Sequence, residues 1–285
     1  MRTVCKKEEI DLMVELYNQG YSAAAICKQI PYAPHTILDK LRKRGVEIRS
    51  RAGYKKPFNE NYFENIDTEK KAYFLGFLMA DGCVYERKKS QPCMSFQLKS
   101  SDKYILEELK KELDTDNTID YYAPKDHSSL RICSTKIVND LFKYGIVYRK
   151  TGYEKFPKDL IPENLINHFV RGFFDGDGWV TLTKSHGKEK KRISIGFTSN
   201  EKMLISLRDY FKEKLNGDFN VNPHIYNNEQ KGYKGFGLIT FSKKSDVKIL
   251  RDWMYQNATI FLTRKYDVFT SASSLISSGL NQQSV

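Results

Sequence analysis

The chain contains the apolar nonapeptide Phe74-Leu75-Gly76-Phe77-Leu78-Met79-Ala80-Asp81-Gly82, and a related one follows about a hundred residues later as Val170-Arg171-Gly172-Phe173-Phe174-Asp175-Gly176-Asp177-Gly178. Each copy predicts an apolar helix with two small residues four positions apart, which places both on one helix face. These small residues are Gly76 and Ala80 in the first copy, and Gly172 and Gly176 in the second. Two such faces can pack backbone against backbone, so the sequence predicts a close seam between the helices.

Both predicted helices end in an acid followed by glycine, Asp81-Gly82 and Asp177-Gly178. Each glycine is expected in the left-handed conformation that commonly stops a helix. The seam would bring the two carboxylates together, where charges roughly 6 Å apart repel by about 3 kcal/mol at an effective dielectric of about 20. Helix dipoles also disfavour negative charge there, so a cation should occupy the gap. Carboxylates with free backbone carbonyls suit Mg²⁺, and a metal between two acids can promote phosphodiester hydrolysis.

Length and charge indicate the class of partner. The chain has 285 residues, enough for two or three domains, and a formal net charge of +12, which indicates a polyanion such as nucleic acid or an acidic membrane surface. Apolar runs are too short to span a bilayer, and no charged-then-apolar signal segment opens the chain. We therefore expect a soluble protein that is not secreted, either cytoplasmic (bacterial or phage-encoded) or organellar.

Cysteines and histidines give no sign of a metal site. The cysteines are odd in number and lack C-x-x-C spacing, so neither a disulfide framework nor a zinc site is indicated. We interpret them as small buried thiols in a reducing compartment. They are Cys5, Cys27, Cys83, Cys93 and Cys133. The histidines are isolated in sequence and predict no histidine-based nuclease cluster.

Residues 1–50 predict a small all-α domain of short helices. A short helix, a turn and a basic amphipathic helix form the helix-turn-helix plan. The last of these helices exposes, among others, His35, Thr36, Lys40 and Arg44. We interpret the domain as a DNA-docking unit, with a solvated charged face on a helical bundle as the alternative. Residues 51–66 are interpreted as a basic linker.

The remaining chain predicts an internal repeat. Each apolar helix is followed by strand, basic loop, strand, helix, two strands and helix, so we expect two pseudo-symmetric αββαββα half-domains in an α+β protein. Their predicted bounds are 67–155 and 156–270, and residues 271–285 are expected to form a flexible tail. Ser134 and Ser242 are expected to cap the last helix of their respective halves.

Alternation along the predicted strands places hydrogen-bonding and basic side chains on the face that lies away from the helices. These side chains are Tyr85, Arg87, Gln97, Lys99, Arg131, Thr181, Thr183, Arg192, Ser194, Asn220 and Asn222. Such a set suits contacts to base edges and phosphates in duplex DNA. The alternative is a solvated sheet face.

With two helices that end in Asp-Gly, each followed by the same strand and helix order, the chain resembles the single-chain, two-motif LAGLIDADG homing endonucleases. The resemblance covers roughly residues 67–269. It implies a saddle-shaped antiparallel sheet on duplex DNA, with the signature helices at its centre and Mg²⁺ held by the acid before the last glycine. Carried over, the metal ligands are Asp81, Asp177 and the backbone carbonyls of Ala80 and Gly176, and Ca²⁺ is expected as a substitute that does not support cleavage.

The resemblance also implies a lysine near each scissile phosphate, here Lys150 and Lys265. A cation there would stabilise the transition state or orient water, and a simple phosphate contact or surface lysine is the open alternative. Met79 stands where members frequently carry an acid, whereas Asp175 is retained in the second helix. We therefore interpret Asp175 as a structural or peripheral carboxylate. The halves differ in loop length and groove residues, which implies an asymmetric target.

The predicted function is site-specific, Mg²⁺-dependent cleavage of both strands of a long asymmetric DNA target by a monomer, as in intron homing. The alternative is a protein of the same fold that binds DNA or RNA without the reaction, such as a transcription regulator or an intron maturase. Retention of Asp81 and Asp177 favours cleavage. Residence in an intein is not expected, because the chain opens Met1-Arg2 without a nucleophile and closes Ser284-Val285 without an asparagine.

Overall fold

The computed structural model of the protein describes residues 5–19, 21–48, 58–88, 90–184, 191–228 and 233–273. The chain divides into two compact units, Met1–Lys56 and Pro57–Val285. Within the described residues, no helix is long and apolar enough to cross a membrane. Residues 51–57 of the predicted linker, residues 185–190 of the second basic loop and residues 274–285 of the predicted tail lie outside the described residues.

The first unit is helical in its described residues. It contains α1 (Lys7–Asn18), α2 (Ala23–Ile26) and α3 (Pro34–Lys43). Met13, Ile26, Ile37 and Leu41 form the centre of its core, one or two from each helix. Ser22 caps α2, since its side chain accepts a hydrogen bond from the backbone N–H of Ala25. This unit therefore has a hydrophobic core of its own.

The second unit contains the predicted repeat. Its elements are α4 (Glu69–Asp81), β1 (Gly82–Arg87), β2 (Ser90–Lys99), α5 (Lys103–Glu112), β3 (Ile119–Tyr122), β4 (His127–Cys133), α6 (Thr135–Lys143), α7 (Ile166–Asp177), β5 (Gly178–Lys184), β6 (Lys191–Asn200), α8 (Glu201–Lys214), β7 (His224–Asn228), β8 (Tyr233–Phe241), α9 (Lys244–Tyr255) and α10 (Thr263–Ser271). The described strands form two four-stranded antiparallel sheets, ordered β1-β2-β4-β3 and β5-β6-β8-β7. The two αββαββα half-domains are thus confirmed, and α10 is an additional helix that the sequence analysis did not predict.

The seam between α4 and α7 lies at the centre of the second unit. A Cβ on Gly76 would stand 1.9 Å from the carbonyl oxygen of Phe169, and a Cβ on Gly172 would stand 1.9 Å from that of Tyr73. A Cβ on Gly176 would come within 2.3 Å of the Ala80 Cβ. The helices therefore touch through their backbones at the small residues, and any side chain at these glycines would force them apart.

The predicted left-handed glycines at the helix ends are wrong. Gly82 has φ −77° and Gly178 has φ −94°, both extended, because each helix passes directly into a strand. Both glycines are required for a different reason. A Cβ on Gly82 would lie 2.7 Å from the Leu78 carbonyl oxygen, and a Cβ on Gly178 would lie 2.5 Å from that of Phe174. Close approach of the strand to the last helical turn, not backbone conformation, excludes a side chain there.

The ends of the predicted linker and tail belong to the core. Tyr62, Phe63 and Ile66 are buried in the main hydrophobic cluster, so residues 58–66 are part of the second unit rather than a linker. Ala272 is also buried in that cluster, which extends the ordered chain beyond residue 270. The predicted linker is basic overall, but Tyr62, Phe63 and Ile66 lie close enough in sequence to pack together in the core.

The interpretation of all cysteines as free buried thiols is wrong. Cys93 on β2 and Cys133 on β4 are register partners and form a disulfide, although they are 40 residues apart in sequence. Cys5 is free and buried, Cys27 is free and half-buried, and Cys83 is free and exposed. Strand register decides the pairing, and the spacing of the cysteines alone does not reveal it.

Only one of the two predicted serine caps forms. The side chain of Ser134 accepts a hydrogen bond from the backbone N–H of Ile137 and caps α6. Ser242 instead forms a 2.8 Å hydrogen bond with the hydroxyl of Ser194 on β6, and α9 begins one residue later than its counterpart. The prediction for Ser242 is therefore wrong, because the serine bonds to the sheet instead of the helix.

Candidate active site

Two acids meet where the signature helices end. Asp81 is the last residue of α4 and Asp177 the last of α7. The seam brings Asp81 close to α7, since its Oδ2 would be 3.3 Å from a Cβ placed on Gly176. Asp81 is exposed to solvent and Asp177 is half-buried. The helix packing thus sets the spacing of the two carboxylates.

The mutual repulsion of the two acids appears mainly at Asp177. Burial, and then the negative charge of Asp81, raise the pKa of Asp177 to about 7. Desolvation by the surrounding protein also raises the pKa of Asp81, although the positive charges of Lys265 and Lys150 oppose this effect. Both carboxylates are therefore easier to protonate than a free aspartate, which is the expected result when like charges lie close in a partly desolvated site.

Lys150 approaches the acids from the segment that joins the two half-domains. It is buried, and its Nζ donates a 2.7 Å hydrogen bond to the carbonyl oxygen of Ala80, directly before Asp81. Burial lowers the pKa of Lys150, and the charge of Glu154 is the largest cause that opposes this effect. A cation thus sits beside the first acid, at the carbonyl end of α4, where the helix dipole favours positive charge.

Lys265 takes a comparable position in the other half, but it does so from α10. Its buried Nζ donates hydrogen bonds to the carbonyl oxygens of Phe174 (2.6 Å), Asp175 (2.8 Å) and Gly178. Burial lowers the pKa of Lys265 to about 8, against the opposing charge of Asp175. The structure therefore brings Asp81, Asp177, Lys150 and Lys265 to one place.

Asp175 is a buried structural carboxylate in this arrangement. Its Oδ2 accepts 2.8 Å hydrogen bonds from the Tyr73 hydroxyl on α4 and from the Leu262 backbone N–H just before α10. Burial raises the pKa of Asp175 to about 6. These contacts agree with the interpretation of Asp175 as a structural group, since its carboxylate joins α7 to α4 and to the segment that carries Lys265.

The open faces of the two sheets carry most of the predicted DNA-contacting side chains. Arg87, Gln97, Lys99, Arg131, Thr181, Thr183 and Arg192 are exposed, and Tyr85 and Ser194 are half-buried. On β2 the exposed Gln97 and Lys99 alternate with the buried Phe96 and Leu98, as the predicted period of two requires. The two open faces are therefore polar and basic.

Asn220 and Asn222 do not lie on a strand as predicted. They precede β7, and their side-chain oxygens accept 2.9 Å hydrogen bonds from Lys212 and Arg208 on α8. Among the β7 side chains that the structure describes, His224 and Tyr226 are exposed, and their rings lie 5.3 Å apart. Polar residues do alternate through this segment, but Asn220 and Asn222 lie before the first residue of β7.

In the first unit, three of the candidate residues lie on α3, and Arg44 is its C-cap. His35 is exposed, and its ring lies 3.3 Å from the hydroxyl of the half-buried Thr36. Lys40 is half-buried. Arg44 is exposed but forms a 2.6 Å ion pair with Asp11 on α1. Arg44 therefore already has a partner within its own unit.

Comparison with known proteins identifies the family. The profile of the LAGLIDADG-like domain matches residues 68–143 and 164–253, which contain both signature helices and most of both half-domains. The chain belongs to the LAGLIDADG family. In sequence it is 24% identical over 257 residues to an uncharacterized protein of Methanocaldococcus jannaschii, with 85% of each chain covered.

Solved LAGLIDADG structures share the fold. The LAGLIDADG homing endonuclease I-LtrWI bound to target DNA superimposes with a TM-score of 0.51 at 14% identity, over 78% of this chain and 92% of that one. I-GzeII in complex with its DNA target gives a TM-score of 0.52 at 14% identity, over 73% of this chain and 91% of that one. At this identity the likeness establishes the fold alone.

The donor groups of this LAGLIDADG site fit a hard divalent cation. Within the described residues, no three His, Cys, Asp or Glu side chains are grouped so that they could hold a metal. The site offers the carboxylates of Asp81 and Asp177 with neighbouring backbone carbonyls, an all-oxygen set of the kind that Mg²⁺ uses when it keeps several of its waters. The Ala80 carbonyl already accepts the hydrogen bond of Lys150, but a carbonyl oxygen has a second lone pair.

Two residues around the LAGLIDADG site were not predicted from the sequence. Glu154 is buried close to Lys150 and Asp177, and its charge acts on the pKa of both. Arg264 precedes Lys265 and donates a 3.0 Å hydrogen bond to Asp102 of the first half-domain. Neither residue lies in a motif, although Glu154 follows Lys150 by only four positions and could have been noticed as its potential counter-charge.

Proposed function

We propose that the protein is a divalent-metal-dependent endonuclease that cuts both strands of duplex DNA at a specific site. The observation that carries the proposal is the meeting of Asp81 and Asp177 at the ends of two packed helices, each with a buried lysine beside it. Endonucleases of the same fold have been crystallised bound to DNA, which supports duplex DNA as the partner. The net charge of +12 and the basic open sheet faces support the same partner.

The residues of the site would have two roles, positioning of metal and DNA and stabilisation of charge. Asp81 and Asp177 would hold Mg²⁺ with help from the Ala80 and Gly176 carbonyls. Bound Mg²⁺ would supply positive charge at the scissile phosphate and lower the pKa of a bound water. Lys150 and Lys265 are held rigidly beside the acids, so their charges would oppose the negative charge that develops on each phosphate without reorganisation. The open sheet faces would orient the duplex, and the differences between the halves favour an asymmetric target.

The first unit is proposed to extend the DNA contact as a helix-turn-helix domain. Its short α2 precedes α3, whose N-terminal His35 is exposed. In that plan the N-terminal residues of the second helix contact base edges. A genetic setting such as intron homing, and action as a monomer, are parts of the same proposal.

The test is cleavage of a plasmid library in Mg²⁺ by the wild type and by the single variants Asp81→Asn and Asp177→Asn. Each variant should lose double-strand cleavage, with nicked products as the most that remains, while DNA binding in Ca²⁺ persists. Asp252→Asn, an exposed acid on α9, serves as the control and should cut normally. Unchanged cutting by both active-site variants would refute the assignment. Binding by the wild type without any cutting would favour a regulator or a maturase of the same fold.

A further inference from the structure

Lys150 is presented by a tightly wound segment rather than by a helix or strand. The backbone of Arg149 lies in the left-handed region with φ 53°, and that of Gly152 has φ 86°. The backbone N–H of Tyr153 donates a 2.7 Å hydrogen bond to the carbonyl of Lys150 and closes the turn. A left-handed non-glycine residue costs about 1 kcal/mol and persists only where its surroundings hold it. Something must therefore hold this turn in place.

Glu154 supplies that hold. Its side chain is 6% exposed, although it carries a charge. Its Oε2 accepts a 2.8 Å hydrogen bond from the backbone N–H of Gly152, inside the turn, and a 2.9 Å hydrogen bond from the Asn200 side chain, outside it. Asn200 Nδ2 also donates a 2.9 Å hydrogen bond to the Glu154 backbone carbonyl. The side-chain amide of Asn200 thus donates to two acceptor atoms of Glu154, Oε2 and the backbone carbonyl oxygen.

Asn200 is itself fixed in the second half-domain. It lies where β6 meets α8, it is buried, and its Oδ1 accepts a 3.0 Å hydrogen bond from the Met203 backbone N–H as the cap of α8. The lysine that lies beside the first acid is therefore anchored, through Glu154, on the second half. Lys265 does not depend on Glu154, because it lies on α10 and bonds three carbonyls at the end of α7 directly.

We propose that Glu154 is the positioning residue for Lys150: together with Asn200 it holds the turn that places the Lys150 amine on the Ala80 carbonyl. The inference deepens the proposed endonuclease function and rests on it for its kinetic consequence. Loss of Glu154 would disturb the lysine of one half-site and leave the other in place. The two strands of the duplex would then be cut at different rates.

The kinetic test follows each strand separately on a linear duplex target whose two strands carry different 5′-end labels, and a supercoiled plasmid with the same target reports nicked circles. Lys150→Ala first identifies the strand that depends on this lysine. Glu154→Ala should slow the same strand by about tenfold or more, the scale expected for a misplaced group, and should leave the other strand within about twofold, so that nicked circles accumulate. Glu154→Gln keeps an acceptor oxygen for Gly152 and Asn200 and should restore most of the rate. Equal slowing of both strands, or of neither, overturns the proposal.

A second test needs no cleavage. Under native conditions an amine-reactive label read by mass spectrometry should modify Lys150 several-fold faster in Glu154→Ala than in the wild type. Lys265 is the internal control and should stay protected in both, because a general loss of folding would expose the two lysines together. Asn200→Asp keeps the cap on α8 but cannot donate to Glu154, and it should expose Lys150 in the same way. Unchanged protection of Lys150 in both variants refutes the positioning role, whereas absence of cleavage by the wild type refutes only the proposed function.

Discussion

The guanidinium of Arg171 on α7 donates a 2.6 Å hydrogen bond to the carboxylate of Glu69 in the first turn of α4. Arg171 is completely buried, and it also donates to the carbonyl oxygens of Met254 (2.7 Å) and Ile260 (3.0 Å). Glu69 in turn accepts a 2.6 Å hydrogen bond from the Thr259 backbone N–H. Asp81 lies at the far end of α4 from Glu69, so this network holds the helix pair together at a distance from the acids.

Removal of Arg171 should therefore destabilise the fold strongly. Arg171→Met leaves Glu69 without its buried partner, and a broken buried ion pair of this kind costs about 3–5 kcal/mol. Urea unfolding of the full chain, compared with the wild type, measures the loss. Arg251→Met is the matched control, since Arg251 pairs with a more exposed acid, Asp252, and should lose no more than about 1 kcal/mol. Equal stability of the two variants would contradict the role given to the network.

His168 should make this network sensitive to acid. Its Nδ1 lies 2.6 Å from a guanidinium nitrogen of Arg171, so the unprotonated ring accepts from the arginine. Burial, and then the charge of Arg171, lower the pKa of His168 to about 4. The contribution of neutral His168 to the free energy of unfolding is complete above the ordinary histidine pKa of about 6.5. It falls as the pH falls towards 4, because His168 takes up a proton in the unfolded chain but not in the folded chain. At about 1.4 kcal/mol per pKa unit, the loss approaches about 3 kcal/mol.

The comparison of His168→Asn with the wild type isolates this effect. Asp175 and Asp177 have raised pKa values, so the folded chain binds their protons more readily than the unfolded chain and they increase stability as the pH falls. This effect is present in the wild type and in the variant, so it cancels in the comparison. Free energies of unfolding measured from pH 7 to pH 4 should therefore fall less steeply in the variant. Parallel curves would show that His168 keeps an ordinary pKa.

The seam at Gly76 and Gly172 gives a steric prediction. A Cβ at either position would stand 1.9 Å from a carbonyl oxygen of the facing helix, and that oxygen belongs to backbone that cannot rotate away. Gly76→Ala and Gly172→Ala should each cost more than about 3 kcal/mol, at or above the upper end of overpacking effects. Gly145→Ala is the control, because its Cβ would meet open space and only its φ of +88° opposes the change, at about 1 kcal/mol. Equal losses in thermal unfolding would mean that the helices can separate easily.

The features that followed from the sequence depend on local periodicity. The spacing of Gly76 and Ala80 within one helix, and its repetition in the second helix, was enough to predict the packed pair and the proximity of Asp81 and Asp177. The succession of helices and strands along the chain followed as well, because it is repeated in each half. Patterns of this kind involve residues within about a dozen positions of one another, so they predict local structure and its repetition.

The features that the sequence did not reveal depend on contacts between distant segments. The disulfide joins Cys93 to Cys133 because the register of β2 against β4 makes them neighbours. Glu154 matters because Asn200 reaches it from the second half. Gly82 is needed because the strand passes close to Leu78, which the expectation of a left-handed cap did not consider. In each case the deciding partner lies on an element whose placement the residue pattern does not specify.

The open sheet faces predict a salt-dependent contribution to DNA binding. Lys99 and Arg131 are exposed on β2 and β4, on the face that lies opposite the buried Phe96 and Leu98. Removal of one phosphate contact lowers the slope of log affinity against log salt by about 1, so Lys99→Ala and Arg131→Ala should each flatten it. Lys103→Ala on α5 is the control, because this exposed lysine belongs to the helical layer and pairs with Glu107. A uniform effect of all three changes would assign the binding to net charge rather than to this face.

Deletion of residues 1–56 tests whether the first unit adds to binding without taking part in the chemistry. The unit has its own core, and Tyr62, Phe63 and Ile66 belong to the core of the other, so residues 57–285 should fold without it. The acids and both lysines lie in the part that is kept, and cleavage at high protein concentration should therefore continue. Binding should weaken, and its dependence on salt should become shallower, because the deleted segment is rich in lysine and arginine. Equal affinity and an equal salt slope in filter binding would contradict the DNA contact assigned to α3. Loss of cleavage by a well-folded truncated chain would show that the first unit takes part in the reaction itself.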